Sequence, residues 1–309
     1  MGSGSFTSKD WASYAGAKVT GKSTAQIYTS TCMKDEYNPK NVIRESRDSD
    51  EHPNATPIII GLDVTGSMSN ILNEVAQQLG DMVLEILDRK PVEDPQILFA
   101  AIGDSHCDSY PLQVTQFESD IRIAQQLTEL YFERGGGGNG FESYPLAWWF
   151  GANHTSTDAN EKHNRKGFLF TMGDDGYPEA LFRDHLQYVF GDDIEKDKVD
   201  TKEVLSQVCR KYEVFHLCLK EGSNMSGYWG GQSEVDLVVN QWTGLLGERA
   251  IPVSDYTKVP QIIVSILETM AGKSVEEVAN SWDGSTAVVV REALAGLANR
   301  KEDKDLVEF

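Results

Sequence analysis

The chain has 309 residues, of which 40% are hydrophobic and 25% are charged, the ordinary balance of a globular protein with a substantial core. It carries 28 basic and 48 acidic residues, which give a formal net charge of −20. This charge argues against nucleic acid and against an anionic membrane surface as partners. Cations and basic protein surfaces fit the composition better.

The N-terminal residues and the cysteines bear on the cellular compartment. The first residues lack the apolar segment of a signal peptide, and no window approaches the roughly 18 apolar residues that a membrane span requires. We therefore expect a cytoplasmic protein. The four cysteines, Cys32, Cys107, Cys209 and Cys218, are widely spaced without a CxxC pair, and we expect buried, reduced thiols.

The pattern of apolar residues changes at Pro57. Residues 1–56 are rich in Ser, Thr, Lys and Asp without sustained periodicity, and they predict an extended N-terminal arm. The β-branched run 58–62 predicts a strand buried on both faces, and the spacing of apolar residues over 67–89 predicts an amphipathic helix. Further strands are predicted at 97–102, 167–172, 214–219 and 250–253, and further helices at 117–131, 144–153, 202–211, 235–246 and 258–270.

This alternation predicts the fold class. Strands separated by helices require crossover connections, which produce a mostly parallel sheet. We expect an α/β fold with a doubly wound, mostly parallel, Rossmann-like sheet flanked by helices, in one domain over residues 57–272. Residues 273–309 predict a C-terminal extension of two helices.

The first predicted strand ends in a segment with three oxygen-bearing side chains. Residues 63–69 read Asp-Val-Thr-Gly-Ser-Met-Ser. Asp63 stands at the carboxyl end of the strand, where ligands bind in open α/β sheets, and Thr65 and Ser67 follow at alternate positions of the turn. Hard divalent cations prefer such oxygen ligands. In the alternative interpretation, Asp63 caps the following helix and the two hydroxyls satisfy turn amides.

Segment 63–69 resembles the metal-ion-dependent adhesion site (MIDAS) of von Willebrand factor type A (vWA) domains, whose pattern is Asp-x-Ser/Thr-x-Ser. The resemblance covers about residues 57–272. It implies that Asp63, Thr65 and Ser67 bind Mg²⁺, with Mn²⁺ or Ca²⁺ as alternatives. In the family the ion binds an acidic residue of a partner protein. The resemblance therefore implies a protein-binding adaptor or assembly module without enzymatic activity. Its nearest association is with cytoplasmic bacterial and phage-type members, some of which work beside AAA+ ATPases of the MoxR type.

A loop after a later strand is expected to supply another ligand. Residues 172–176, Met-Gly-Asp-Asp-Gly, follow the strand after which vWA domains carry a second aspartate, which usually contacts the metal through water. Asp174 is the favoured residue and Asp175 is the alternative. An Asp-Gly pair at this place is otherwise a simple turn.

The glycine-rich segment 135–143 departs from the family pattern. The family commonly carries a threonine there, and this sequence has none. Asn139, Glu142 or Ser143 is expected to replace it. Charge counting favours Asn139 or Ser143 as the direct ligand, with Glu142 contacting a metal-bound water, because a directly bound glutamate would cancel the charge that attracts a partner carboxylate. The glycine run is alternatively a hinge or a phosphate cradle.

Three other polar residues near predicted strand ends have simpler expected roles. Asp104 ends the second strand at the same edge of the sheet and is expected to orient ligand waters from outside the ligand set. His106, in the polar segment that follows, is expected to be exposed. His216 lies within an apolar strand and is expected to belong to the core.

Two other classes of function compete with the binding module. Residues 16–23, Gly-Ala-Lys-Val-Thr-Gly-Lys-Ser, match the Walker A pattern of nucleotide hydrolases letter by letter, but no buried strand precedes them, and we interpret the match as coincidental. A metal-dependent phosphohydrolase is a further enzymatic alternative. A structural subunit of a larger assembly, with a vestigial metal site, is the third possibility.

Overall fold

A six-stranded sheet forms the centre of the molecule. The computed structural model describes residues 4–132, 141–221, 228–229 and 232–298, with the backbone alone at 67, 69, 228, 229, 232 and 233. In chain order the strands are β1 (Arg44–Ser46), β2 (Thr56–Asp63), β3 (Pro95–Ile102), β4 (Leu112–Val114), β5 (Thr155–Thr157), β6 (Gly167–Gly173), β7 (Ala180–Phe182), β8 (Lys198–Asp200), β9 (Tyr212–Leu219), β10 (Tyr228–Trp229), β11 (Gln232–Ser233) and β12 (Ala250–Val253).

Helices connect most of these strands. They are α1 (Ser8–Lys18), α2 (Thr24–Ile27), α3 (Ser69–Arg89), α4 (Arg122–Glu129), α5 (Pro145–Asn153), α6 (Asp158–Glu161), α7 (Arg183–Phe190), α8 (Thr201–Val208), α9 (Glu234–Leu246), α10 (Val259–Met270), α11 (Val275–Asn280), α12 (Gly284–Ala293) and α13 (Ala295–Ala298).

The order of the strands defines the topology. The central sheet runs β4-β3-β2-β6-β9-β12, and its strands are parallel except for β4, which is antiparallel to β3. Counted along the chain, this order is third, second, first, fourth, fifth, sixth, as in doubly wound α/β folds. The predicted fold class is therefore confirmed. The winding reverses between β2 and β6, which is where such folds bind their ligands.

Alternate residues of β2 face two different helical layers. Every residue of β2 is buried. Ile58 and Ile60 belong to the apolar cluster that includes α3, α4 and α10, whereas Ile59 belongs to the cluster that includes α5, α8 and α9. Burial on both faces explains why the sequence shows a continuous apolar run here and not an alternating pattern.

Helix α4 is shorter than the predicted helix over 117–131. The structure places the helix at Arg122–Glu129 because the residues before it extend the sheet. The backbone of Glu118 exchanges two hydrogen bonds with Ile97 of β3, at 2.8 and 3.1 Å. This isolated bridge and the short strands β1, β4, β5, β7 and β8 were not predicted from the sequence.

The N-terminal segment is not the extended arm that the sequence predicted. Residues Ser8–Lys18 form a helix, whose first turn is capped by the Thr7 hydroxyl accepting from the backbone N–H of Asp10 at 3.1 Å. Trp11 is buried against α3, where a Cβ added to Gly80 would lie 2.0 Å from the indole. Only Trp11 and Ala15 of this helix are buried, so its apolar periodicity is weak.

The Walker-like segment lacks the setting of a phosphate-binding loop. Its first residues, Gly16 to Lys18, form the end of α1, and no strand precedes them within the part of the chain that the structure describes. The Lys22 ammonium donates to the carbonyl of Ala17. The interpretation of this match as coincidental is supported by that geometry.

The cysteines and the C-terminal region differ from expectation in detail. Cys32 and Cys107 are exposed and Cys209 is partly exposed, so the prediction of buried thiols holds for Cys218 alone. Cys32 and Cys107 lie in polar bends outside the apolar layers. Helices α11, α12 and α13 stand where two helices were predicted, and they pack on the cluster that contains α3 and α10.

No helix within the described ranges is both long enough and apolar enough to cross a bilayer.

Candidate metal centre

Two strand ends bring carboxylates together at the point where the winding of the sheet reverses. Asp63 is the last residue of β2, and Asp174 directly follows β6, which ends at Gly173. These strands are parallel neighbours, with Leu62 opposite Met172. Because the carboxyl ends of parallel strands lie at one edge, both side chains reach the same crevice.

Three aspartates form a group of the size that one cation requires. Asp63, Asp174 and Asp175 are all buried, and each offers a carboxylate oxygen within 4.8 Å of the other two. Opposite oxygens around Mg²⁺ lie about 4.2 Å apart, and around Ca²⁺ about 4.8 Å apart, which is twice the usual metal–oxygen distance. The three carboxylates can therefore surround a single hard cation. The structure brings together both aspartates between which the sequence left a choice.

The turn after β2 fixes one oxygen of Asp63. The backbone N–H and the hydroxyl of Thr65 both donate to Asp63 Oδ1, at 2.9 and 2.6 Å. This local hydrogen bond to the amide two residues on is typical of aspartate in turns. The Thr65 hydroxyl oxygen thus lies directly beside the Asp63 carboxylate. Ser67 lies in the short 3-10 turn Gly66–Met68, and its side chain is outside the described part of the structure.

Tyr144 fixes the other oxygen of Asp63 and was not identified from the sequence. Its fully buried hydroxyl donates to Asp63 Oδ2 at 2.9 Å from the N-terminus of α5. The approach depends on Gly173, where an added Cβ would lie 1.8 Å from the tyrosine oxygen and 2.8 Å from Asp63 Oδ2. The sequence signal for Tyr144 is weak, because a tyrosine beside an apolar helix is usually part of the core.

Glu142 lies beside the three aspartates without belonging to their group. It is 3% exposed, and its Oε2 has no hydrogen-bond partner within the described residues. Burial raises the pKa of Glu142 well above its usual range, and the charges of Asp63, Asp104 and Asp175 raise it further. A buried carboxyl group without a compensating partner is unfavourable, and a nearby divalent cation would remove that penalty.

Asp63 shows the same electrostatic signature. Burial raises the pKa of Asp63, and the charge of Asp174 adds to the effect, while hydrogen bonds from Thr65 and Tyr144 oppose it. In the absence of a cation, part of the carboxyl cluster is therefore protonated near neutral pH. Because ligands bind metal in their deprotonated form, a cation would displace these protons. The all-oxygen donor set and the orphaned Glu142 oxygen both fit a hard divalent cation.

Of the remaining predicted ligands, Ser143 forms hydrogen bonds with the loop after β3. The Ser143 hydroxyl accepts from the backbone N–H of Ser105 at 2.9 Å and donates to the Ser105 hydroxyl at 3.0 Å. Ser143 therefore connects the start of α5 to the loop after β3. Asn139 lies outside the described residues.

Asp104 and the two histidines take well-defined places. Asp104 is buried, and its Oδ1 accepts from the backbone N–H of His106 at 2.9 Å, so the carboxylate caps its own turn. Its charge nevertheless reaches Glu142. His106 is exposed and His216 is fully buried, as predicted. His216 stacks on Trp242 with ring centroids 3.5 Å apart, and the Trp242 indole donates to the Asp175 carbonyl at 3.1 Å.

A serine and a histidine also meet at this edge. The Ser105 hydroxyl is hydrogen-bonded to His185 Nδ1 at 2.9 Å. Burial lowers the pKa of His185, and the neighbouring His106 lowers it further. Among the described residues, no carboxylate is hydrogen-bonded to the other ring nitrogen, so this pair lacks the third member of a Ser-His-Asp arrangement.

The fold and the site together define a doubly wound α/β protein with a cation-sized acidic centre at its topological switch point. No family model matches the chain. The comparison with curated proteins gives no significant match.

Among solved structures, the chain is similar to the pilus adhesin SpaC from Lactobacillus rhamnosus GG. The open conformation of that adhesin shares 9% sequence identity at a TM-score of 0.47, over 77% of this chain and 31% of the adhesin. A second structure of the adhesin gives the same identity and TM-score over 77% of this chain and 32% of the adhesin. The chain thus spans about a third of the adhesin's length. A likeness this weak identifies neither a family nor a function.

Proposed function

We propose that the protein is a cytoplasmic, divalent-cation-dependent protein-binding module of the vWA type. The observation that carries the proposal is the buried group of Asp63, Asp174 and Asp175 within 4.8 Å of one another at the switch point of the sheet. The Thr65 hydroxyl beside Asp63 and the unsatisfied Glu142 carboxylate support a cation at this place. Mg²⁺ is the favoured ion.

The charge at the ion determines what the module can bind. With Asp63 bound directly and the other aspartates contacting the ion through water, the complex keeps a net positive charge that attracts a partner carboxylate. If all three carboxylates bound directly, three negative charges would exceed the two positive charges of the ion. The proposal therefore requires water-mediated contacts for Asp174 and Asp175. An AAA+ ATPase of the MoxR type or an assembly subunit is the class of partner we propose.

Thermal denaturation with and without metal tests the proposal. An ion that binds only the folded state stabilises it by about 2.7 kcal/mol at one hundred times its dissociation constant. Mg²⁺ or Mn²⁺ should therefore raise the melting temperature of the wild type. The double variant Asp63→Ala, Ser67→Ala should lose the shift while keeping its circular dichroism spectrum. An unchanged metal response in this variant would place the ion elsewhere and refute the assignment.

The effect of replacing Glu142 distinguishes an adhesion-type site from a structural cation site. Because Glu142 does not belong to the group formed by the three aspartates, Glu142→Gln should change Mn²⁺ affinity by less than the roughly 10-fold expected for an important outer-shell residue. Isothermal titration calorimetry measures the change. If Glu142→Gln weakens binding as severely as Asp63→Asn, the glutamate is a direct ligand. The ion would then be close to neutralised, and a structural role in an assembly would replace the partner-binding mechanism.

A further inference from the structure

Five aromatic side chains lie on chain segments close to the candidate metal centre. His106, Phe141, Phe182, His185 and Tyr188, which we call the aromatic rim, come from three separate segments of the chain. The His106 ring lies 4.7 Å from His185, 5.7 Å from Phe141 and 6.4 Å from Phe182 between ring centroids. Phe182 also contacts His185 at 5.7 Å. Four of the five rings therefore form one connected cluster with His106 at its centre, and Tyr188 follows His185 by three residues on α7.

Two rings of the rim lie on chain segments that pass beside the candidate metal centre. The backbone N–H of His106 is bonded to Asp104, and Phe141 precedes Glu142 in the chain. Phe141 also forms a β-bridge with Gly176, which follows Asp175. The rings of His106 and Phe141 therefore lie within two residues of Asp104 and Glu142, and Phe141 is paired with the residue that follows Asp175.

Two side chains of the rim expose apolar surface that is not packed against the rest of the protein. Phe182 is 43% exposed and Tyr188 is 59% exposed, two of the few large hydrophobic side chains with this much contact with water. The Tyr188 hydroxyl donates to the carbonyl of Ser109 at 2.9 Å, which holds its ring against the loop that carries His106. Rigid, exposed aromatic side chains beside a polar centre are characteristic of protein-binding surfaces.

The charges around the rim restrict the partner further. Asp104, Asp108, Asp184 and Glu142 lie on the same loops and helix as the rings, and the whole chain carries a net charge of −20. An acidic partner surface would be repelled everywhere except at the ion itself. Complementarity therefore favours a single carboxylate that is set among basic residues.

We propose that the aromatic rim is the specificity surface of the metal centre and binds a protein segment that places an aromatic or long aliphatic side chain next to the metal-binding carboxylate, with Lys or Arg on either side. This inference rests on the proposed function. It adds the chemistry of the partner: the ion takes the carboxylate, Phe182 and its neighbours take the apolar side chain, and the surrounding acids take the basic residues.

Selection from a random linear peptide library displayed on phage tests this inference. The library is panned on the wild type with Mg²⁺ and eluted with EDTA, and the selection is repeated on Phe182→Ala and on Val288→Ala. Val288 is 49% exposed on α12, outside the rim, and provides a matched control for the loss of an exposed apolar side chain. Affinities of individual selected peptides are then measured by calorimetry.

We expect wild type and Val288→Ala to select peptides with an Asp or Glu beside an aromatic or aliphatic residue in a basic context. Phe182→Ala should keep the metal dependence and the acidic residue but lose the apolar preference. Binding of a wild-type-selected peptide should weaken by about 2- to 10-fold, the usual effect of one aromatic contact. Its thermal response to Mg²⁺ should equal that of the wild type.

The two proposals fail in different ways. Equal affinity and the same selected sequences for wild type and Phe182→Ala, with a normal thermal response to Mg²⁺, would overturn the role of the rim alone. EDTA-eluted peptides without an acidic residue would overturn the pairing of a metal-bound carboxylate with the rim. A dimer of the wild type that Phe182→Ala dissociates would make a second copy of the chain the occupant of the rim. Absence of any thermal response to Mg²⁺ in the wild type would refute the proposed function itself.

Discussion

Two groups of buried carboxylates in this protein have opposite electrostatic surroundings. Asp158 is 1% exposed and accepts hydrogen bonds from Arg47 at 2.9 Å, Lys162 at 2.6 Å and the backbone N–H of Asp48 at 3.0 Å. Burial raises the pKa of Asp158, but these donors outweigh it and lower the pKa to about 2. Here the chain supplies its own compensating charge.

At the candidate metal centre, Asp63 and Glu142 have no basic partner among the described residues. Burial and neighbouring carboxylates raise the pKa values of Asp63 and Glu142, and the donors to Asp63 are an amide and two hydroxyls. A buried acid can be paired with a basic side chain, as at Asp158, so the surroundings of Asp63 and Glu142 favour a ligand that brings the positive charge. The contrast supports the proposed cation site more strongly than burial alone does.

We expect the largest effects when Asp63 and Asp158 are each replaced by asparagine in separate variants. Asp63→Asn should weaken Mn²⁺ binding by more than about 100-fold, beyond the range of outer-shell residues, and should leave the metal-free protein as stable as the wild type because it removes an unfavourably buried charge. Asp158→Asn should keep Mn²⁺ affinity and lower the free energy of unfolding by about 1–3 kcal/mol, because charged donors lose their acceptor.

Calorimetric titration with Mn²⁺ and urea unfolding without metal measure these two quantities on both variants. A loss of metal affinity in Asp158→Asn, or a stability loss in metal-free Asp63→Asn as large as that of Asp158→Asn, would remove the distinction between the two groups.

Acidification should stabilise the metal-free fold through Asp63 and Glu142 and destabilise it through Asp158. Where the folded-state pKa of a carboxyl is raised, the folded state binds more protons than the unfolded state, so stability falls as pH rises above about 4 toward the folded-state value. Metal-free protein should thus lose stability between about pH 5 and pH 8 through Asp63 and Glu142, and Mg²⁺ should restore it. Asp158, with its lowered pKa, contributes stability that is lost only below about pH 4.

Melting curves between about pH 5 and pH 8, with Mg²⁺ and with EDTA, show whether stability changes with pH in the expected direction. The shift caused by Mg²⁺ should grow with pH, and the affinity should fall by up to about 10-fold for each pH unit of acidification, as for one displaced proton. A shift that is independent of pH would mean that the carboxyl cluster is already fully ionised in the metal-free protein.

Removing the Tyr144 hydroxyl, which orients Asp63, should have a smaller effect on Mn²⁺ affinity. Tyr144→Phe removes the donor to Asp63 Oδ2 and should lower Mn²⁺ affinity by about 10-fold, as for other outer-shell partners. Tyr212→Phe is the matched control, because the Tyr212 hydroxyl makes an equally buried hydrogen bond to Thr155 at the start of β9, away from the metal centre. Calorimetry should show unchanged Mn²⁺ affinity in the control. Equal losses in both variants would make the Tyr144 hydroxyl a contributor to stability alone.

The sequence predicted the central sheet well because its strands are buried on both faces. Continuous apolar runs such as 58–62 have no other common explanation when helical segments separate them. Helix α1 was missed because two buried residues in eleven leave hardly any periodic signal. The edge strand β4 and the pair of Ile97 with Glu118 were missed because short pairings depend on contacts between distant parts of the chain.

The candidate site was predictable only where neighbouring residues define it. Asp63 and Thr65 lie two positions apart, so the turn alone brings their oxygens together. Tyr144 reaches Asp63 from 81 residues away, and no local pattern reports that contact. The sequence favoured Asp174 and left Asp175 as the alternative, and the structure places both within the group.

The Tyr144 hydroxyl lies so close to Gly173 that the residue types allowed at positions 144 and 173 depend on each other. Any side chain at 173 would occupy the place of the Tyr144 hydroxyl, since even a methyl group would lie 1.8 Å from that oxygen. Relatives of this protein that carry alanine or serine at 173 must therefore have replaced the tyrosine at 144 by a smaller residue, and those that keep the tyrosine must keep the glycine. In an alignment of such relatives, the two positions should covary as a pair, and chains that have lost the pair should have lost the orienting donor to the aspartate with it.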